Sequence, residues 1–174
     1  ELFNDTNYND LETLLMKRVS SDTFTNENVA KALLQYILSN NPLDFIEDAA
    51  DLSARDVSLG KLVLQKHHII PLGGATSIKQ SSAEIRGNKA HILNSPLNFS
   101  LISDKANNGV GTLPIETYVQ KLTGWSITSH FLPNNLNKQS GEGDSEYYER
   151  LLAARYEKIK DAMLNELRML FLSV

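Results

Sequence analysis

Along the first third of the chain, apolar residues return at helical intervals. Leu11, Leu14, Leu15 and Val19 follow a start rich in Asn, Asp and Thr, which offers helix caps. Val29, Leu33, Tyr36 and Ile37 make a second stripe, with Asn26 placed to cap it. Asn40-Asn41-Pro42 stops that helix, because proline cannot continue one. A further short helix is expected over 43–50. The pattern then changes. Residues 61–66 are apolar in the middle and run into Pro71 and Gly73-Gly74, which predicts a strand entering a loop. Residues 75–96 are polar, with a short helix expected over 82–89. A second strand is predicted over 97–102, ending at Ser103. Ser103 can cap a short helix running through Asn108, ahead of Gly109. Thr112 can cap the next, with Pro114 early in its first turn and Ile115, Tyr118, Val119 and Leu122 as its buried face. Residues 133–145 are rich in Asn, Gly and Ser and predict a loop. A long helix follows from about Asp144, with Tyr148, Leu151, Leu152, Ile159 and Met163 near one stripe. The sequence therefore predicts an α+β chain, mainly α-helical, in which two strands are embedded among helices.

The length of 174 residues suits one compact domain in three parts: helical residues 1–60, a central part 61–125, and a loop with a long helix over 126–174. Hydrophobic residues make up 41% of the chain, enough for a core. No uninterrupted apolar run approaches the ~18 residues of a membrane span, and no charged-then-apolar leader opens the chain. The absence of cysteine excludes disulfides, thiolate zinc sites and cysteine nucleophiles. These features agree with a cytoplasmic protein and no membrane partner. A start at Glu1 rather than Met is expected of a piece of a longer protein.

The net charge of -4 speaks against a nucleic-acid partner until it is divided along the chain. Residues 1–60 carry four Lys/Arg against eleven Asp/Glu, and residues 92–174 carry eight against nine. Residues 61–91 instead carry Lys61, Lys66, Lys79, Arg86 and Lys89 against Glu84 alone, a net +4. The same stretch holds three of the four histidines. A local basic patch can follow phosphates while the remaining surface stays acidic. A solvated basic loop gives the same count.

Two segments carry candidate chemistry. Gln65-Lys66-His67-His68-Ile69-Ile70-Pro71 places neighbouring histidines at a strand end, where adjacent side chains point to opposite faces. One can then reach a metal while the other reaches a water, since imidazole serves both as neutral ligand and as base. The second segment runs from Asn94-Ser95-Pro96-Leu97-Asn98 through Phe99 to Asn107. An amide at a strand start, Asn98, can hold a histidine ring by hydrogen bonding. An amide oxygen near a helix start, Asn107, can complete a hard-metal site. Each feature alone also fits ordinary turns and caps.

Taken in order, His67-His68-Ile69-Ile70-Pro71, then Asn94-Ser95-Pro96-Leu97-Asn98-Phe99-Ser100-Leu101-Ile102-Ser103, then Asn107, Pro114 and Tyr118, the chain resembles the HNH (ββα-metal, His-Me finger) nucleases. The similarity is greatest to the C-terminal nuclease domain of Gmr-type modification-dependent restriction enzymes and related phage-defence nucleases. It covers about 61–160, including His130-Phe131-Leu132-Pro133 and the helix bearing Tyr147 and Arg155. The resemblance implies a ββα-metal hairpin-plus-helix core within 61–125. It implies that His68 is the general base, that Asn98 orients it, and that His67 and Asn107 are metal ligands. The implied cofactor is a divalent cation, Mg2+ first and Mn2+ second. The implied activity is metal-dependent endonucleolytic cleavage of DNA, nicking or cutting both strands, in phage defence or restriction. A sensor or NTPase-like domain N-terminal to this one is the expected partner besides DNA. Two departures stand out: Ala106 replaces the family's usual Thr, and the ligand set contains no carboxylate.

Lys66, Lys79, Arg86, Lys89 and His91 are the candidate DNA contacts, with solvation as the other reading for the cations and packing for His91. His130 is expected to be structural and Trp125 to lie in the core. Arg155 is expected either to reach DNA or to form a helix-surface ion pair. Two other functions are open to the same sequence. One is a DNA-binding or regulatory module on an inactive HNH fold; the other is a helical interaction domain in which the His/Asn pattern is coincidental.

Overall fold

The computed structural model describes residues 26–46, 50–73, 80–88 and 91–172. The helix expected around Leu11 to Val19 lies outside them. The chain is mainly helical with one two-stranded antiparallel sheet, as its pattern predicts. Among the described residues, no helix is long and apolar enough to cross a membrane.

Helix α1 (Asn26–Ser39) uses two apolar faces. Leu33 and Ile37 enter the main core, while Ala30 and Leu34 pack with Phe99 in a smaller cluster. It ends where the sequence says it should. Asn40 donates its side-chain amide to the Tyr36 carbonyl at 2.9 Å, Asn41 turns left-handed at φ 47°, and Pro42 follows. The helix expected next is replaced, in its described part, by a bridge residue and a bend at Phe45 and Ile46. Leu43 forms a lone bridge with Asp51. The buried Asp44 carboxylate accepts from the backbone N–H of Phe45 at 2.9 Å and of Ser103 at 3.1 Å, so it serves the next segment of chain rather than a helix.

Helix α2 (Ala54–Ser58), capped by Ser53, was not foreshadowed by any apolar stripe. It delays the first strand. The N–H groups of Lys61 and Leu62 donate to the Asp56 carbonyl at 2.9 and 3.2 Å, so they cannot join a ladder. Strand β1 is therefore Leu64–His68, three residues later than expected. Helix α3 (Ser82–Gly87) opens on a capping box between Ser81 and Glu84. Two 3-10 turns follow, Ile92–Asn94 and Pro96–Asn98, then strand β2 (Phe99–Ser103). The second turn takes residues assigned by pattern to the strand, because Ser95 caps it and Pro96 begins it.

Ser103 caps helix α4 (Asp104–Val110) through Ala106 N at 3.0 Å, as expected. The expected stop at Gly109 moves to Gly111, whose φ of 56° turns the chain away. Pro114, not Thr112, sits at the N-cap of α5 (Ile115–Tyr118), with no side-chain cap. Helix α6 (Gly124–Ser129) and the long α7 (Asp144–Leu172) complete the chain. Helix α7 contributes Tyr147, Tyr148, Leu151, Leu152, Tyr156 and Ile159 to the core that also holds Ile37, Phe45, Ile102 and Tyr118. Its far end is tied to α1 by Tyr36 Oη, which donates to Glu166 Oε1 at 2.8 Å.

Candidate active site

Strands β1 and β2 pair in a register running from Leu64↔Ser103 to His68↔Phe99. Alternation along the pleat then sorts the side chains. His67, with Ser100 and Ile102, faces the interior; Lys66 and His68, with Phe99 and Leu101, face the other side. The paired histidines thus point to opposite faces of the hairpin, as their adjacency on a strand requires.

On the inner face the hairpin and α4 bring His67 and Asn107 together across 40 positions of sequence. His67 Nδ1 lies 3.0 Å from Asn107 Oδ1. The ring is 5% exposed and stands nearly perpendicular to Phe45 and Tyr118. Burial holds its pKa below the usual histidine range, and the Asn107 hydrogen bond pulls the other way. With a proton on Nδ1 for Asn107, the Nε2 atom is left buried with no hydrogen-bond partner. An orphaned polar atom of this kind costs about 1–3 kcal/mol.

The pair can be tested against a hard cation. The 3.0 Å between His67 Nδ1 and Asn107 Oδ1 is a hydrogen-bond distance, so a cation held by both atoms would have to displace the Nδ1 proton to the orphaned Nε2. One imidazole nitrogen and one amide oxygen suit Mg2+ or Mn2+ when phosphate and water supply the remaining oxygens. Among the described residues no three His, Asp or Glu side chains gather into a fuller ligand set. Asn107 and His67 could hold a cation only as a neutral two-ligand set, with the hydrogen bond between them broken.

On the outer face His68 is half-buried against Phe99, with ring centroids 4.7 Å apart. Its pKa is pushed down to about 4, first by burial and then by the positive charges of His67, Arg86 and Lys66. The ring is consequently neutral and proton-accepting near pH 7. Lys66 lies on the same face of β1 as His68, and both Lys66 and Arg86 are exposed. Lys66 Nζ rests 4.5 Å from the centroid of the Phe99 ring. Arg86 is carried by α3, which Asn94 anchors by donating to the carbonyls of Ile85 (2.5 Å) and Asn88 (2.9 Å).

Asn98 does not orient His68 by the direct hydrogen bond expected of it. It is fully buried and its amide is consumed by backbone. Oδ1 accepts from Ile70 N at 2.8 Å, and Nδ2 donates to the carbonyls of Leu93 (2.8 Å) and Ile70 (3.2 Å). It clamps the turn that leaves β1 directly after His68, so its influence on that ring runs through the chain. Tyr118 reinforces the clamp with a buried hydroxyl bond to the Ile69 carbonyl. His91 Nδ1 accepts from Leu93 N at 3.1 Å and caps a 3-10 turn. Lys79 and Lys89 lie outside the described residues.

Three other expectations are settled by burial. His130 is structural, as expected. It is fully buried, its Nε2 donates to the Leu43 carbonyl at 2.7 Å, and its Nδ1 meets Ser100 Oγ at 2.6 Å. Arg155 neither reaches solvent nor pairs with a surface acid. It is 1% exposed and donates to the carbonyls of Leu97, Phe99 and His130. Trp125 is 75% exposed at the start of α6 rather than in the core, because Ser126 and Ile127 turn inward there. Phe99 and Arg155 are the contributors that pattern reading missed. The first was recoverable from the strand register; the second depends on tertiary packing alone.

No family model matches this chain, and neither a curated protein nor a solved structure is similar to it.

Proposed function

We propose that the chain is a divalent-metal-dependent DNA endonuclease of the HNH type, hydrolysing phosphodiester bonds. The observation that carries this reading is the strand–strand–helix unit that sets His68 at the end of β1 and seats Asn107 3.0 Å from His67. Charge supports it: the exposed Lys66 and Arg86 both act on His68 as positive charges and suit a polyanion.

In this reading His68, neutral at physiological pH, takes the proton from a water that attacks phosphorus in line. Lys66 and Arg86 hold the backbone phosphates beside it. His67 and Asn107 would hold the Mg2+ or Mn2+ on the inner side of the strand end, and the ion when bound would supply charge stabilisation. Asn98 and Tyr118 fix the turn after His68. The proposal includes a role in phage defence or restriction, with a sensor or NTPase-like domain as partner.

One observation favours a second reading, a DNA-binding module of the same fold without chemistry. The candidate seat contains no carboxylate, and His67 and Asn107 satisfy each other in its absence of charge. Cleavage separates the two. Supercoiled plasmid with Mg2+ or Mn2+ should be converted to nicked or linear form by this chain and left intact by His68→Ala. Equal conversion by both proteins would sink the base assignment. DNA binding without conversion by either, also in a longer protein that carries the proposed partner domain, would establish the second reading.

A further inference from the structure

His68 has no hydrogen bond among the described residues, yet a general base must present one nitrogen in one direction. The torsion that turns an imidazole about its Cβ–Cγ bond is broad, so a strand backbone alone does not fix the ring. Asn98 is fully occupied elsewhere. What does touch the ring is Phe99. The two residues are directly opposite in the register. Because Ile69 N donates to the Asn98 carbonyl at 2.8 Å, the neighbouring pair His68↔Phe99 is the non-hydrogen-bonded kind, in which side chains approach most closely. Their planes meet at 62° with centroids 4.7 Å apart. Phe99 is itself immobilised: it is 8% exposed and packs against Ala30 and Leu34 of α1 and against Leu101. Lys66, diagonal to it across the ladder, places its ammonium 4.5 Å from the ring centroid.

Resting on the nuclease reading above, we infer that Phe99 is the positioning residue of His68: an aromatic contact across the hairpin, rather than an amide hydrogen bond, fixes the direction of the base. The contact does a second thing. It holds the Lys66 cation and the base on one shared ring, so phosphate recognition and proton transfer are built on the same support. Helix α1 enters the site through Phe99, since Ala30 and Leu34 form the wall behind it.

The test uses Phe99→Leu, a near volume-conserving change in this small cluster, with Phe99→Met as a second apolar variant should the first unfold, and Phe99→Tyr as the conservative rescue. Two readouts are taken on the whole chain. In the first, NOEs from the His68 ring protons to the β1 backbone and to Leu101, which report the ring direction, are followed by NMR; they should weaken and average in Phe99→Leu and persist in Phe99→Tyr. In the second, plasmid cleavage is measured at saturating DNA. The rate should fall about tenfold in Phe99→Leu, the scale of one aromatic pair, and stay within about twofold in Phe99→Tyr. Unchanged ring NOEs in Phe99→Leu would overturn the inference whether or not the chain cleaves DNA. So would a Tyr variant as slow as the Leu variant. If the unmodified chain fails to cleave, the ring NOEs alone decide whether Phe99 fixes the ring.

Discussion

At the scale of single residues, the molecule's least ordinary feature is how many histidines it keeps neutral. His130 shows the consequence most clearly. Both ring nitrogens are committed: Nε2–H donates to the Leu43 carbonyl, so Nδ1 is the acceptor for the Ser100 hydroxyl. A second proton would replace that acceptor with a donor. Burial pushes the pKa of His130 down to about 3, against 6.5 for a free histidine. Between these values the unfolded chain binds a proton that the folded chain refuses. Stability from this group is therefore fully present above about pH 6.5 and is lost as pH falls toward 3, by at most ~1.4 kcal/mol per pH unit. His67, His68 and His91 are shifted in the same direction and add to the trend. Urea unfolding between pH 4.5 and 6.5 should show His130→Gln with a shallower decline than the unmodified chain, by up to one proton. Parallel declines would mean that the folded state accommodates the charged ring.

At the scale of elements, caps set what the site can hold. Helix α4 has only seven residues, too few to persist without its Ser103 cap and the packing of Ala106 and Val110. Because Asn107 is one of those seven, the cap is a remote support of the His67–Asn107 seat. Ser103→Ala should cost about 1 kcal/mol of stability in metal-free unfolding. If Asn107 is a ligand, the variant should also need more Mg2+ for half-maximal plasmid cleavage. A stability loss with an unchanged metal requirement would remove Asn107 from the seat. The same scale shows how far the sequence could be read. Helix α1, the pair of strands, the Ser103 cap and the long α7 were legible because they rest on local periodicity and capping chemistry. The start of β1 was not, because the Asp56 carbonyl captures two N–H groups that pattern alone assigns to the strand. The role of Asn98 was misread for a related reason: an amide beside a histidine in the motif suggests a ring partner, while three backbone groups within reach satisfy it completely. Trp125 was placed in the core on residue type, but a single aromatic residue in the first turn of a short helix can as readily face solvent.

At the scale of the whole molecule, one guanidinium joins the parts that build the site. Arg155 reaches from α7 to the carbonyls of Leu97 and Phe99 on either side of Asn98, and to the carbonyl of His130 beyond α6. His130 in turn holds Ser100 and Leu43, and Ser126 Oγ donates to the Asp44 carbonyl at 2.6 Å. Burial lowers the Arg155 pKa to about 9, which still leaves it charged at neutral pH. Charge-assisted bonds to carbonyls offset its desolvation in place of a carboxylate, and their planar fork cannot be copied by an ammonium. Arg155→Lys should therefore lose at least ~2 kcal/mol despite keeping the charge, and Arg155→Met about 3 kcal/mol by stranding three buried carbonyls. A more discriminating measurement is amide exchange. Ile69 N–H is bonded to the Asn98 carbonyl, and Leu132 N–H to the Ile127 carbonyl. These two amides belong to opposite sides of the clamp. If Arg155 unites the sides, Arg155→Lys should accelerate exchange at both by similar factors; faster exchange at only one would show that α7 supports β2 and the α6 turn separately.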